Sequence, residues 1–147
     1  MSSDLQWYLI RNYNSYLVKK VPEGPIFSRE PGNLRNLHSY KYSGLANKKA
    51  IDISDSGNGI KITTKKTKSS PQAVRGSLTS TTIRNRSGGR RALGAAAQLT
   101  KRGYRGDLRA AALGRTSALV EAQKEKKNPP QKKVRGKYRA GAADSSA

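Results

Sequence analysis

Lys65, Lys66 and Lys68, then Arg75, Arg84, Arg86, Arg90 and Arg91, then Lys101, Arg102, Tyr104, Arg105, Arg109 and Arg115 follow one another through the middle of the chain. Lys126, Lys127, Lys132, Lys133, Arg135, Lys137 and Arg139 crowd its end. Cations in such a series do one kind of chemistry well, the neutralisation of a row of phosphates. A single run of like charge is usually only a solvated face. Here residues 61–147 hold 22 Lys and Arg against four acids, a net +18, and that density repels itself unless a polyanion answers it. Arg105 and Arg109 are four apart, the spacing of one helix face, and are expected to reach neighbouring phosphates. Glycines interleave with the cations, as in Gly88-Gly89-Arg90-Arg91 and Lys101-Arg102-Gly103-Tyr104-Arg105-Gly106. They allow a backbone to lie close against phosphates, and Tyr104 is of a type to stack on an exposed base. Simple flexibility explains the glycines equally well.

The two kinds of cation are not mixed evenly. Between residues 84 and 115 stand eight arginines and one lysine, whereas residues 124–139 hold six lysines and two arginines. Arginine presents a planar fork that grips phosphate in two places, while lysine is a mobile point charge. The first stretch is therefore expected to bind through placed side chains and the second by bulk charge.

Other chemistry is poorly supplied. There is no cysteine, hence no disulfide, thiolate nucleophile or cysteine zinc site. His38 is the one histidine, and no nucleophile with an orienting acid stands near it, so it reads as structural or surface. Gly57-Asn58-Gly59 lacks the Gly-Lys-Ser/Thr continuation of a phosphate loop. No catalytic residue, metal site or cofactor is expected. No stretch approaches the ~18 apolar residues of a membrane span, and no apolar run follows a basic start as in a signal peptide. The basic part also lacks the Trp, Phe and Leu that a membrane-surface helix sets opposite its charges. Nucleic acid is thus the favoured polyanion, with no membrane partner.

The elements that must position these cations divide the chain by composition. Of 147 residues only 34% are apolar, too few for a core along the whole length. Residues 1–60 carry a net charge of only +3 and seven of nine aromatics, namely Trp7, Tyr8, Tyr13, Tyr16, Phe27, Tyr40 and Tyr42. That half is expected to fold around its own core, with Trp7 as an anchor. A capping box of Ser3 and Gln6 opens a short helix whose apolar face is Leu5, Tyr8 and Leu9, ending at Arg11-Asn12. Ser15 to Val21 reads as a strand, stopped by Pro22-Glu23-Gly24-Pro25, with Ile26 to Arg29 able to pair back. At residues 48–66, Ile51 and Ile53 alternate with Asp52 and Ser54, and Ile60 and Ile62 with Lys61 and Thr63. The glycine-bearing segment Asp55 to Gly59 between them predicts a bulged β-hairpin with all four isoleucines on one face.

Beyond, residues 67–84 read as a basic linker. A helix is predicted from Gly88 to Arg102 with Gly103 as its stop, and a second from about Asp107 through Ala122. Their alanine-rich stripes are narrow, and Arg115 interrupts the second. The expected fold is α+β: a compact domain over 1–66 with a short helix and antiparallel strands including the hairpin, a linker over 67–84, a helical extension over 85–123, and a basic tail over 124–147 that orders on its partner.

Leu5-Gln6-Trp7, Arg11-Asn12, Ser15 and Leu17-Val18-Lys19 resemble the opening of the eukaryotic large-subunit ribosomal protein family numbered twenty-eight. The resemblance continues through Glu30-Pro31, Asn33-Leu34 and Ser39-Tyr40-Lys41-Tyr42-Ser43-Gly44-Leu45, and returns at Thr81-Thr82-Ile83 with Asn85. It ends in Tyr104-Arg105, Asp107-Leu108-Arg109, Ala111-Ala112, Arg115 and Ser117-Ala118. It implies a non-catalytic protein of the cytosolic 60S subunit that binds large-subunit ribosomal RNA, at peripheral or expansion-segment helices, beside other large-subunit proteins. It implies nucleolar passage during assembly, and leaves a nucleolar assembly factor as an alternative. No homo-oligomer is expected. From charge alone a linker-histone-like chromatin protein competes, although Ala-Lys-Pro repeats are scarce and the first half is rich in tyrosine.

Overall fold

The computed structural model describes residues 2–18, 23–70, 72–101, 103–124 and 128. Helix α1 (Ser3–Ile10) is capped by Ser2, whose side chain accepts from the Leu5 amide at 3.2 Å. The cap lies one residue before the predicted Ser3, because the Ser3 hydroxyl is engaged elsewhere, 2.8 Å from that of Tyr40. Arg11 closes the helix with its amide on the Trp7 carbonyl, where Arg11-Asn12 were expected to stop it. Strands β1 (Leu17–Val18) and β2 (Phe27–Ser28) then pair antiparallel, as Ser15–Val21 and Ile26–Arg29 predict.

The main sheet has three antiparallel strands in the order β3 (Ile51–Asp55), β4 (Gly59–Lys65), β5 (Leu78–Arg84). Its first two are the expected hairpin, in register Ile53↔Ile62 and Asp55↔Ile60. Asp55 accepts from the Gly57 amide at 2.7 Å, and Gly57 takes the positive φ of +77° that the turn requires. Gly59 has a different task. A Cβ there would collide with the Ile83 carbonyl oxygen, so a glycine is what lets β5 approach β4. Ile51, Ile53, Ile60 and Ile62 share one face and are 0–3% exposed.

Helices α2 (Gly89–Lys101) and α3 (Arg109–Ala122) cover that face. Gly103, at φ +76°, stands just past α2 as the predicted stop. A short 3-10 turn, Gly106–Leu108, leads into α3 and holds Asp107. Ala92, Ala96, Leu108 and Ala112 complete the core with the isoleucines and Ile83. The narrow alanine stripes suffice because the opposite surface is built of large isoleucines: a small side chain on the helix admits a long one from the sheet.

Three expectations are corrected. Residues 67–84 are not only a linker, since Leu78–Arg84 form a full strand of the sheet. Only Ile83 of the seven is buried, so Leu-Thr-Ser-Thr-Thr-Ile-Arg shows no apolar alternation. The core also runs across residue 66: its floor comes from residues 51–62 and its roof from residues 92–112. Nor does the aromatic-rich segment make its own core. Leu5, Tyr8 and Leu9, the expected inner face of α1, are 48%, 66% and 59% exposed, and among the described residues no aromatic is buried. Helix α1 rests instead on Trp7, whose ring lies 4.9 Å from that of His38 and 6.0 Å from that of Tyr40. His38 is structural, as read: its Nε2–H donates to the Arg11 carbonyl at 2.7 Å.

Residues 30–47 link this layer to the sheet. The buried Glu30 carboxylate accepts from the Ser43 hydroxyl at 2.7 Å and the Leu45 amide at 2.5 Å. A Cβ at Gly44 would strike the Pro31 carbonyl, so these two chain segments lie in backbone contact. The tail over 124–147 falls almost wholly outside the described residues.

Candidate nucleic-acid interface

The sheet and its two helices sort the predicted cations into two groups. Lys65, Tyr104, Arg105 and Arg115 point into the protein. The Lys65 ammonium donates to the carbonyls of Gly44 and Asn47, the latter at 3.4 Å. Burial pushes its pKa below the ordinary lysine value, and the Glu30 charge opposes that shift. The Tyr104 hydroxyl donates to the carbonyls of Lys65 at 2.5 Å and Ala50 at 3.3 Å, and burial raises its pKa. With its hydroxyl tied to β4 and its ring against the core, Tyr104 is a structural anchor rather than a free stacking platform.

Arg105 is not on a helix face with Arg109. It precedes the 3-10 turn, while Arg109 begins α3. Its guanidinium forks onto Asp107 at 2.7 and 2.8 Å, and the hydrogen bonds from Arg105 hold the Asp107 carboxyl below the usual carboxylate range. The same group donates to the Lys49 carbonyl at 3.0 Å and the Lys41 carbonyl at 2.8 Å. Arg115 donates to the Ile53 carbonyl at 2.7 Å and to Leu34 O and Asn36 Oδ1 at 3.4 Å. Its break in the apolar stripe is thereby explained, because it satisfies a carbonyl on the open edge of β3.

Lys66, Lys68, Arg75, Arg84, Arg86, Arg90, Arg91 and Arg109 are exposed. Arg84, Arg86, Arg90 and Arg91 cluster where β5 passes through the 3-10 turn Asn85–Ser87 into α2. Cations at a helix N-terminus oppose the helix dipole, and the first turn of α2 holds no acid to offset them. A phosphate there would satisfy both the arginines and the dipole. Among the described residues the ion pairs are Arg105–Asp107 and Lys124–Glu121, so this cluster has no acidic partner within them. Lys101 ends α2, and Arg102, Lys126, Lys127, Lys132, Lys133, Arg135, Lys137 and Arg139 lie outside the described residues.

The structure adds cations that the low net charge of the first half concealed. Lys41, Lys48 and Lys49 are exposed around a cavity of about 480 Å3 also lined by Tyr40 and Arg105. A second, of about 600 Å3, shares Asn47 and Lys48 with it and continues past Lys65, Lys66, Ser69 and Ser70. The Lys41 ammonium lies 5.7 Å over the Tyr42 ring, and that of Lys49 lies 5.7 Å over Tyr104. The sequence signal was the adjacent pair Lys48-Lys49, averaged away by Glu30, Asp52 and Asp55 in the same half. Among the described residues no group of three or more His, Cys, Asp or Glu could hold a metal ion.

Residues 5–122 match the Ribosomal L28e protein family. The chain belongs to that family. It is 33% identical to the large ribosomal subunit protein eL28 of Schizosaccharomyces pombe over 129 residues, 86% of this chain and 96% of that protein. Against the eL28 protein of Dictyostelium discoideum it is 35% identical over 137 residues, 92% of this chain and 98% of the relative. A shorter match, 45% over 71 residues, joins it to eL28 of Caenorhabditis elegans. L28e proteins are ribosomal proteins of eukaryotes and not a family of enzymes, in keeping with a chain whose basic residues outnumber its acids by 21.

Proposed function

We propose that this chain is a structural constituent of the large ribosomal subunit, where it binds ribosomal RNA through the arginine cluster at the β5–α2 junction and the basic residues that follow. The observation that carries the reading is that Arg84, Arg86, Arg90 and Arg91 are exposed, grouped at one end of the sheet, and without an acidic partner among the described residues. Three elements hold their backbones in place, which fits the placed contact that arginine makes with phosphate. The residues past α3 add bulk charge, and neighbouring large-subunit proteins are expected beside it. Its place is the cytosolic ribosome, after nucleolar assembly, with peripheral or expansion-segment helices as the RNA.

Sedimentation of a cell extract tests this. The protein should travel with 60S particles and leave them at high salt. Co-sedimentation with chromatin would replace this reading by the chromatin one. Confinement to nucleolar precursors would make it an assembly factor.

A further inference from the structure

The trough formed by the two cavities that share Asn47 and Lys48 has a lining unlike the arginine cluster, of lysines, an amide and hydroxyls. Residues 40–49 run along both parts; Ser3, Arg105 and Asp107 face them in the first, and Lys65, Lys66, Ser69 and Ser70 in the second. Each part is of a size that admits a nucleotide-sized unit. A single strand can follow such a depression with its phosphates on the lysines and its bases splayed, whereas a duplex meets a protein through its regular backbone surface. Lys41, Lys48, Lys49 and Lys66 line it without an acidic partner in the ion pairs among the described residues. Asn47, Ser69 and Ser70 add the amide and hydroxyl groups that meet ribose hydroxyls and phosphate oxygens. The acid in the wall, Asp107, is held by Arg105.

We propose that this trough binds a single sugar–phosphate strand of RNA, as a second contact separate from the arginine cluster, and that Arg105 is its positioning residue. This rests on the RNA-binding reading above and names where a single strand lies. Arg105 donates to the carbonyls of Lys41 and Lys49, the two ends of the lysine-bearing loop, while Asp107 holds its guanidinium in orientation. One side chain thus ties together the backbone at both ends of the segment that carries Lys41, Lys48 and Lys49. Lysine at 105 would keep the charge and lose the fork that spans the two carbonyls.

The test uses the full chain and fluorescence anisotropy across a salt series, with an RNA single strand of about twelve nucleotides and a duplex of about sixteen base pairs. Two charge-matched variants are compared, K41A/K48A/K49A and R84A/R90A/R91A. The lysine variant should lose about tenfold or more on the single strand, with a log–log salt slope shallower by about 2, and should lose less on the duplex. R105K should weaken single-strand binding several-fold while hydrogen exchange at Ile51–Ile62 stays as in the parent and the loop 41–49 loses protection. Equal losses on both RNAs from the lysine variant would reduce the trough to bulk charge and overturn the proposal. So would a lysine variant that loses affinity for poly-glutamate but not for RNA, which would mark an acidic protein segment as the occupant. R105K binding like the parent would remove the positioning role. A parent chain that binds neither RNA would instead overturn the RNA-binding reading itself.

Discussion

Tyr104 and Arg115 show how side chains that read as RNA ligands, one for a base and one for phosphate, can instead serve the fold. Arg115 supplies a donor to a strand-edge carbonyl buried beneath α3, and removing it leaves Ile53 O without that partner. Arg115→Ala is expected to destabilise the protein by about 1–3 kcal/mol, read from denaturant unfolding. The Tyr104 hydroxyl carries two carbonyls, and Tyr104→Phe should cost about 0.5–1.5 kcal/mol at neutral pH. Its pKa is raised on folding from 10.0, so the folded chain keeps a proton that the unfolded chain begins to lose at that pH. Its stabilising contribution is therefore whole below pH 10 and falls as pH rises through the folded pKa. Lys65 acts in the opposite sense, its lowered pKa making stability rise as pH climbs towards 10.5, but it is present in both proteins. The stability gap between parent and Tyr104→Phe should accordingly narrow above pH 10. A gap constant to pH 11 would show that the hydroxyl is not held as described.

At the scale of elements, the large contrast is between the isoleucine sheet and the aromatic layer. Ile53→Ala empties a fully buried site and should cost about 2–5 kcal/mol, whereas Leu9→Ala on the open side of α1 should stay within about 0.5 kcal/mol. Hydrogen exchange should protect α2 and α3 together with Ile51–Ile62, and a fragment of residues 1–66 should not fold, because Ala92, Ala96, Leu108 and Ala112 roof its isoleucines. A folded fragment would restore the division at residue 66. The hairpin was legible because period-two isoleucines flank a glycine turn, and the two late helices because alanine and leucine recur before Gly103 and after Asp107. Strand β5 was not, since an edge strand with a single buried residue needs no apolar pattern. Aromatic content misled for a related reason. Large rings suggest a core, yet here the small residues of the helices and the isoleucines of the sheet fit each other and leave Tyr8 and Tyr13 outside.

At the scale of the whole molecule, the candidate RNA surface is smaller than the list of basic residues. Of the eight arginines between 84 and 115, Arg105 and Arg115 are turned inward and Arg102 is not among the described residues, leaving Arg84, Arg86, Arg90, Arg91 and Arg109 exposed. Charge counting pointed to the second half of the chain but could not tell a guanidinium facing solvent from one facing a carbonyl, because that depends on where β5 and the Arg105 loop fold back. A salt slope steeper than about −6 is still expected, since exposed cations inside and beyond the sheet number enough for on the order of ten phosphate contacts. The sharper expectation concerns which of them matter for assembly. Replacing Arg84, Arg86, Arg90 and Arg91 by lysine keeps every charge, so a purely electrostatic surface would tolerate it. If the cluster grips phosphates through paired N–H donors at fixed positions, that quadruple variant should enter 60S particles several-fold less well than the parent. Exchanging Lys132 and Lys133 for arginine should leave incorporation unchanged, because bulk charge is indifferent to the fork. Equal incorporation of the quadruple variant and the parent would mean that the β5–α2 junction contributes charge alone.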